Sequence, residues 1–310
     1  MNFLGIDTSN YTTSAALWQP SQKNMNTASK LLPVPMGAMG LRQSEAVFHH
    51  TQALHHMVEQ VCQNGESPCA VGVSVQPRRE EGSYMPCFTV GKMAAHTLGS
   101  ALHIPVYEFS HQEGHIAAAA LGAGCEHLLQ KPLIAFHVSG GTTEAVLAEP
   151  VAGGFACKKI AGSLDLKAGQ AVDRVGGMLG LPFPAGKHLD PLALRGQLSQ
   201  KPKAVLRGAD CCLSGVENQC KALWEKGCAK EDVARFCIEL IYETIAGMTL
   251  QLQKAYGNLP LLYAGGVMSN SILQKKLHDA FGGYFAPPKY SSDNAAGVAY
   301  LASLKNEGKL

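Results

Sequence analysis

The residues of this chain best suited to chemistry are His111 and His115, in the run His111-Gln112-Glu113-Gly114-His115. On a helix, positions i and i+4 lie on one face a turn apart, so two imidazoles so spaced can share a metal ion. The chain has 12 histidines, and a structural or surface role is the other reading of this spacing. A metal would need a third ligand. The candidate is Asp293, which opens a predicted helix after a proline-rich loop. Two histidines and one carboxylate leave coordination positions open to a substrate. His49, His50, His55 and His56 cluster on a helix predicted over 44–61 and read as surface or interface residues.

Three other segments suit a nucleotide. Ser139-Gly140-Gly141-Thr142-Thr143 follows a predicted strand, and Gly-Gly lets backbone N–H groups approach a phosphate closely. An ordinary hairpin turn is the alternative. Ala264-Gly265-Gly266-Val267-Met268-Ser269-Asn270 ends a buried strand in a glycine pair at a helix start, which suits a nucleoside lying across the backbone or simply a tight turn. In Asp165-Leu166-Lys167-Ala168-Gly169-Gln170-Ala171-Val172-Asp173-Arg174, Asp173 falls one helical turn after Gly169. It could accept hydrogen bonds from ribose hydroxyls or be a solvated surface charge. Lys201, Lys203 and Arg207 make a small basic patch that could touch RNA or belong to a solvated loop.

The elements that must position these residues follow from periodicity. Strands are expected at 2–7, 13–18, 70–75, 106–108, 133–138, 143–149 and 261–264. Helices are expected at 44–61, 89–102, 112–122, 165–180, 231–256, 270–280 and 293–305. The stretch 182–215, rich in Pro, Gly and Lys, reads mostly as loop with short helices. One repeat orders the whole: Ser9-x-x-Thr12-Thr13-x-Ala15-x-Leu17 matches Ser139-x-x-Thr142-Thr143-x-Ala145-x-Leu147 at an offset of 130. Each copy sits between two predicted strands, which points to duplication. A duplicated hairpin with a Ser/Thr/Gly turn resembles the arrangement of the actin/Hsp70/sugar-kinase (ASKHA) superfamily. The expectation is therefore a duplicated α/β fold with one domain over 1–128, carrying the histidines, and a second over 129–310, carrying the nucleotide turns.

Composition bounds the remaining possibilities. The 310 residues include 26 Lys plus Arg and 24 Asp plus Glu, a net charge of +2. This excludes binding of nucleic acid by bulk charge alone. Hydrophobic residues reach 46% and charged residues only 16%, ample for a buried core and incompatible with disorder. Ten cysteines without a C-x-x-C pair read as reduced thiols of a cytoplasmic protein. No signal peptide or membrane span is expected. The 33 glycines imply many tight turns and close backbone approaches.

A series of motifs extends this reading. Gly5-Ile6-Asp7-Thr8-Ser9, His111-Gln112-Glu113-Gly114-His115, His137-Val138-Ser139-Gly140-Gly141-Thr142-Thr143 and Ala168-Gly169-Gln170-Ala171-Val172-Asp173 come first. Leu179-Gly180-Leu181-Pro182-Phe183-Pro184-Ala185-Gly186, Gly265-Gly266-Val267-Met268-Ser269-Asn270 and Pro287-Pro288-Lys289-Tyr290-Ser291-Ser292-Asp293-Asn294-Ala295-Ala296 follow. In this order they resemble the tRNA threonylcarbamoyladenosine synthase family, long known as glycoproteases. The resemblance implies one divalent metal, iron or zinc, on His111, His115 and Asp293. It implies ATP, AMP or threonylcarbamoyl-AMP held by His137, Val138, Ser139, Gly140, Gly141, Asp173, Gly186, Asp190 and Asn270. It also implies tRNA as substrate, protein partners of the same pathway, and a homodimer or heterodimer.

Three departures stand out. Where the family has an acidic pair after the first strand, this chain has Tyr11-Thr12, neither of which is a carboxylate base. The family's Gly-Pro-Gly loop is here Gln76-Pro77-Arg78-Arg79-Glu80-Glu81-Gly82-Ser83, and Thr142 replaces the usual His or Asn. A non-catalytic paralogue that binds metal and nucleotide and scaffolds an active synthase is the alternative reading. A metallopeptidase is disfavoured, because H-x-E-G-H lacks the adjacent His-Glu of the H-E-x-x-H signature.

Overall fold

The computed structural model describes residues 1–9, 11–34, 41–63, 67–290 and 294–310. In chain order its elements begin with β1 (Phe3–Ser9), β2 (Thr12–Gln19), β3 (Asn24–Leu31), α1 (Gln43–Val61), β4 (Ala70–Gln76), α2 (Phe88–Leu102), β5 (Val106–Ser110) and α3 (His111–Gly122). They continue with β6 (Leu133–Val138), β7 (Thr143–Val151), β8 (Gly154–Gly162), α4 (Ala168–Met178), α5 (Gly186–Arg195), β9 (Val205–Arg207), β10 (Asp210–Cys212), α6 (Ser214–Glu225) and α7 (Lys230–Tyr256). The last are β11 (Leu261–Ala264), α8 (Ser271–Phe281), β12 (Tyr284–Phe285) and α9 (Asn294–Asn306). No helix of the described residues is long and apolar enough to cross a membrane.

The chain forms two compact units. One comprises Met1–Lys131, Glu149–Cys157 and Ser292–Leu310; the other comprises Pro132–Ala148 and Lys158–Ser291. The C-terminal helix, placed in the second half on sequence grounds, thus packs within the first unit.

Each unit is built on a five-stranded sheet, ordered β3-β2-β1-β4-β5 in the first and β8-β7-β6-β11-β12 in the second. In both, an antiparallel hairpin leads the sheet and two parallel strands extend it from the hairpin's first strand. The registers agree as well as the orders. Thr8 pairs with Thr13 and Gly5 with Ala16; 130 positions later, Val138 pairs with Thr143 and Ala135 with Val146. The repeat seen in the sequence is thus a repeat of hairpin geometry.

The central strands are buried on both faces, which is why β1 reads Phe3-Leu4-Gly5-Ile6 without alternation. Leu4, Ile6, Leu17, Val71 and Val73 form the first core with Leu54 and Met57 of α1. Ile134, Phe136 and Leu147 form the second with Val172, Phe236, Ile241 and Leu273.

In the first unit α9 lies against the strands through glycines. A Cβ on Gly5 would stand 2.0 Å from the Ala295 carbonyl oxygen, and one on Gly72 would stand 2.2 Å from that of Val298. The same helix meets α3 through Gly297, whose Cβ would lie 1.9 Å from the Gly114 carbonyl oxygen. The facing runs Ala117 to Ala120 and Ala295-Ala296 are buried and small, so the helix backbones can approach this closely. Overpacking such a contact is destabilising, and Gly297→Ala is expected to cost about 3 kcal/mol. Urea unfolding measures this, and an unchanged midpoint would contradict the packing described.

Candidate functional site

In the first unit, α3 begins at His111 directly after β5. Its start is fixed by a capping box: Ser110 Oγ accepts from Glu113 N at 3.2 Å, and Ser110 N donates to Glu113 Oε2 at 2.7 Å. One turn of helix then sets the His111 and His115 rings 4.5 Å apart, edge to face. Across from them, the end of β1 supplies Asp7, whose Oδ2 lies 2.8 Å from His111 Nδ1. Asp7 is 1% exposed. Burial alone would push its carboxyl pKa up, but the charge and hydrogen bond of His111 outweigh this and hold it well below the usual carboxylate range. A carboxylate on Nδ1 leaves Nε2 of the same ring to act as a ligand, the arrangement typical of metal-binding histidines.

The third group at this point is Asn294, at the start of α9. Its Nδ2 lies 2.8 Å from His111 Nε2 and 3.3 Å from His115 Nε2. Asp293 lies outside the described residues, and among those described no three His, Cys, Asp or Glu side chains converge as a ligand set. Two imidazoles, one oriented by a buried carboxylate and joined by a buried amide, are donors suited to a divalent transition ion. Asp7 and Asn294 both stand within the sequence motifs, yet neither carries a role on sequence grounds. The signal for Asp7 is a carboxylate closing an otherwise apolar strand.

Glu113, between the two histidines, is fully buried. Its Oε1 accepts from Arg79 Nη2 at 2.9 Å and from Phe155 N at 3.3 Å, while Oε2 takes Arg79 Nε at 3.3 Å. The loop 76–83 is therefore clamped to α3 by a charged fork, and Gln112 N adds a bond to Pro77 O at 3.1 Å. A glutamate so committed cannot serve as the water-activating base of a peptidase. Tyr11 is 37% exposed and Thr12 half-buried, so no carboxylate stands at the family's acidic position.

His50 corrects the surface reading of the histidine cluster. It is fully buried, shares a hydrogen bond of 2.8 Å with Thr13 Oγ1, and has no partner at Nε2. Burial draws its pKa down to about 4 despite the nearby Asp7 charge, so it is a neutral core residue. His55 and His56 are exposed as expected.

In the second unit the predicted nucleotide residues fall into two groups. The turn Ser139–Thr142 is closed by Ser139 N to Thr142 O at 2.7 Å and by Thr142 N to Ser139 Oγ at 3.1 Å. A Cβ on Gly140 or Gly141 would meet nothing within 4 Å, so this turn is open on its outer side. The α4 start packs on it through Gly169 N to Ser139 O, 3.0 Å. Gly265 has a φ of +101°, and a Cβ there would stand 2.3 Å from Val138 O, so the ends of β6 and β11 meet at that turn.

The other group centres on Asp190. Its Oδ1 accepts from Asn270 Nδ2 at 2.8 Å and from Ser271 Oγ at 3.2 Å, while Asn270 Oδ1 caps α8 by accepting from Ile272 N and Leu273 N, both at 3.1 Å. Asp173 Oδ1 accepts from Ala185 N at 2.8 Å, steadying the approach to Gly186 and α5. His137 is half-buried at the end of β6. Asp165 ties the start of α4 to α6, accepting from Leu166 N, Leu213 N, Ser214 N and Ser214 Oγ.

Comparison with known proteins agrees with these motifs. The family model described as tRNA N6-adenosine threonylcarbamoyltransferase (TsaD) matches residues 36–300. A protein of that name from Thermus thermophilus is 31% identical over 309 residues, covering 98% of this chain and 93% of its own. Another from Methanopyrus kandleri is 27% identical over 289 residues, covering 91% and 81%. Among solved structures, a ROK hexokinase from Thermus thermophilus shares the fold with a TM-score of 0.52 at 15% identity, over 99% of this chain and 100% of that one. With the two matching sheets, this identifies the duplicated actin/Hsp70/sugar-kinase fold.

Two stability measurements check this geometry. Arg79→Ala removes the counter-ion of a fully buried carboxylate, and urea unfolding should show a loss of about 2–4 kcal/mol, the upper part being reached if water cannot enter. For Asp165, partial burial pushes the pKa up, but hydrogen bonds from Ser214, Leu213 and Leu166 bring it from 3.8 down to about 2. Its ionised form therefore stabilises the fold above pH 4, and that contribution is lost as pH falls through about 2. The stability difference between the unaltered chain and Asp165→Asn should shrink across that window. A difference constant from about pH 5 to about pH 2 would contradict the assignment.

Proposed function

Because the chain belongs to the tRNA N6-adenosine threonylcarbamoyltransferase family, we propose that it transfers a threonylcarbamoyl group from threonylcarbamoyl-AMP to N6 of the tRNA adenosine beside the anticodon. The observation that carries this reading is the family match over residues 36–300. In the transfer, N6 bonds to the carbamoyl carbon, the mixed anhydride to phosphate breaks, AMP leaves and N6 gives up a proton.

The chain's residues divide this work. His111 and His115 would hold the metal, iron or zinc, with Asp293 as the implied third ligand. When bound, such an ion fixes and polarises the acyl-phosphate end of the donor. Asp7 holds the His111 ring in one tautomer by its bond to Nδ1. The open turn at Ser139, Gly140 and Gly141 presents backbone N–H groups to phosphate. His137 and Val138 lead into that turn. Asp173, through the oxygen not bonded to Ala185, and Asp190, with Gly186 and Asn270, would bind the nucleoside. A net charge of +2 calls for partner proteins to help hold the tRNA, in a homodimer or heterodimer.

One observation favours a second reading, a paralogue that binds these ligands and scaffolds an active synthase: the absence of a carboxylate at Tyr11 and Thr12. The two are separated by supplying threonylcarbamoyl-AMP, iron or zinc and an unmodified tRNA, and measuring the modified nucleoside by mass spectrometry. Product from the unaltered chain is expected, and Thr12→Glu should raise its rate. Product from Thr12→Glu alone would make the native chain a lapsed enzyme, and product from neither would overturn the transferase reading.

A further inference from the structure

Glu113 stands two residues after His111 and two before His115, about 200° round the helix from each. It faces away from the histidines, yet it fixes where their helix starts. Its buried carboxylate takes four hydrogen bonds. Oε2 accepts from Ser110 N at 2.7 Å and Arg79 Nε at 3.3 Å; Oε1 accepts from Arg79 Nη2 at 2.9 Å and Phe155 N at 3.3 Å. The backbone closes over this pair at Gly154, where a Cβ would lie 2.3 Å from Oε1 and 2.9 Å from Arg79 Nη2.

The bond to Ser110 N is half of the box that caps α3, and His111 is the first residue of that helix. A carboxylate buried this fully keeps its charge only with a cation beside it. The guanidinium fork of Arg79 grips both oxygens at once, which a point charge cannot do. Arg79 is itself held in place. Its loop is closed by Arg78 N to Ser83 Oγ at 3.0 Å and joined to α3 by Gln112 N to Pro77 O at 3.1 Å. Glycine and proline, the family pattern in this loop, offer no cation, so the clamp comes with this chain's departure from that pattern. Without the fork, Glu113 takes up a proton or turns toward water, and Ser110 N loses its charged partner. The first turn of α3 carries His111 and the second carries His115, so fraying one turn moves one ring and leaves the other.

We propose that Arg79 is a positioning residue for the His111 and His115 pair, acting through Glu113. As a statement about metal binding it rests on the reading that these two histidines hold a metal.

The test compares the unaltered chain with Arg79→Met, Arg79→Lys and the double variant Arg79→Met/Glu113→Gln, with circular dichroism as the check on folding. Two readouts are taken: backbone amide exchange of the metal-free chain, and the affinity and visible bands of added Co2+. Arg79→Met should speed exchange at 111–114 while leaving 116–122 unchanged, weaken Co2+ binding about tenfold and alter the bands. Arg79→Lys should fall between. The double variant should recover most of the loss, because a neutral glutamine still caps Ser110 N without needing a cation. A lower urea midpoint in Arg79→Met with unchanged exchange at 111–114, affinity and bands would make Arg79 a purely structural residue and overturn the proposal; so would a double variant no better than Arg79→Met. If the unaltered chain takes up no Co2+, the metal reading falls and amide exchange alone decides the positioning. Should Arg79→Met fail to fold, Arg79→Lys decides by the same two readouts.

Discussion

Everything placed at the histidine site depends on how closely two helix backbones can approach. Gly114 of α3 and Gly297 of α9 face one another with no room for a single methyl carbon between them. The same helix rests on β1 and β4 at Gly5 and Gly72. Small residues at these positions replace side-chain interdigitation with backbone contact. That is why α9, far along the chain, can deliver Asn294 to the first turn of α3. Gly114 falls inside the helix expected over 112–122, where a glycine carries no packing role on sequence alone. It is instead the seat of a helix crossing, and the histidines on either side are held in place by it.

Onto this packing the electrostatics add a second constraint. Asp7, His50 and Glu113 are buried ionisable side chains of this unit, and each is accommodated differently. Asp7 stays ionised because His111 gives it a charged or hydrogen-bonding partner at 2.8 Å, which offsets desolvation. His50 has only a threonine hydroxyl and so stays neutral. Glu113 accepts the guanidinium fork of Arg79, which fixes a loop whose sequence departs from the family pattern. Arg79 thus makes that loop part of the support of α3, whatever else the loop contacts.

Much of this is legible in the sequence where signals are local. The hairpin repeat, the strand ahead of each turn and the helices from 44 to 61 and 231 to 256 follow from periodicity that burial enforces. β3 and β8 escape it because each is the outer strand of its hairpin sheet: Asn24-Met25-Asn26-Thr27 lacks an apolar face, and Lys158-Lys159 interrupts the run from Phe155 and Cys157. Within 182–215, α5 forms despite Pro191 because Leu189 and Ala193 bury one face. His50 is not separable from its neighbours in sequence, since four histidines on one helix look alike until the sheet covers one of them. Asn294 could not be singled out, because the imidazole it meets stands 183 positions away in the chain.

The duplication also shows how one hairpin scaffold carries two chemically different turns. With registers conserved at an offset of 130, Asp7 and His137 are equivalent, and so are the turns at Ser9–Thr12 and Ser139–Thr142. In the first copy the strand ends in a carboxylate that turns inward to a histidine of α3 and is further held by Ser9 N at 3.0 Å. In the second, the strand ends in an imidazole, and the turn that follows opens outward at Gly140-Gly141, where added side chains would meet nothing. An inward carboxylate suits the ordering of a cation site, whereas an outward glycine turn suits an approaching phosphate. The hairpin supplies only position, and the residue at its inner end decides which chemistry that position serves.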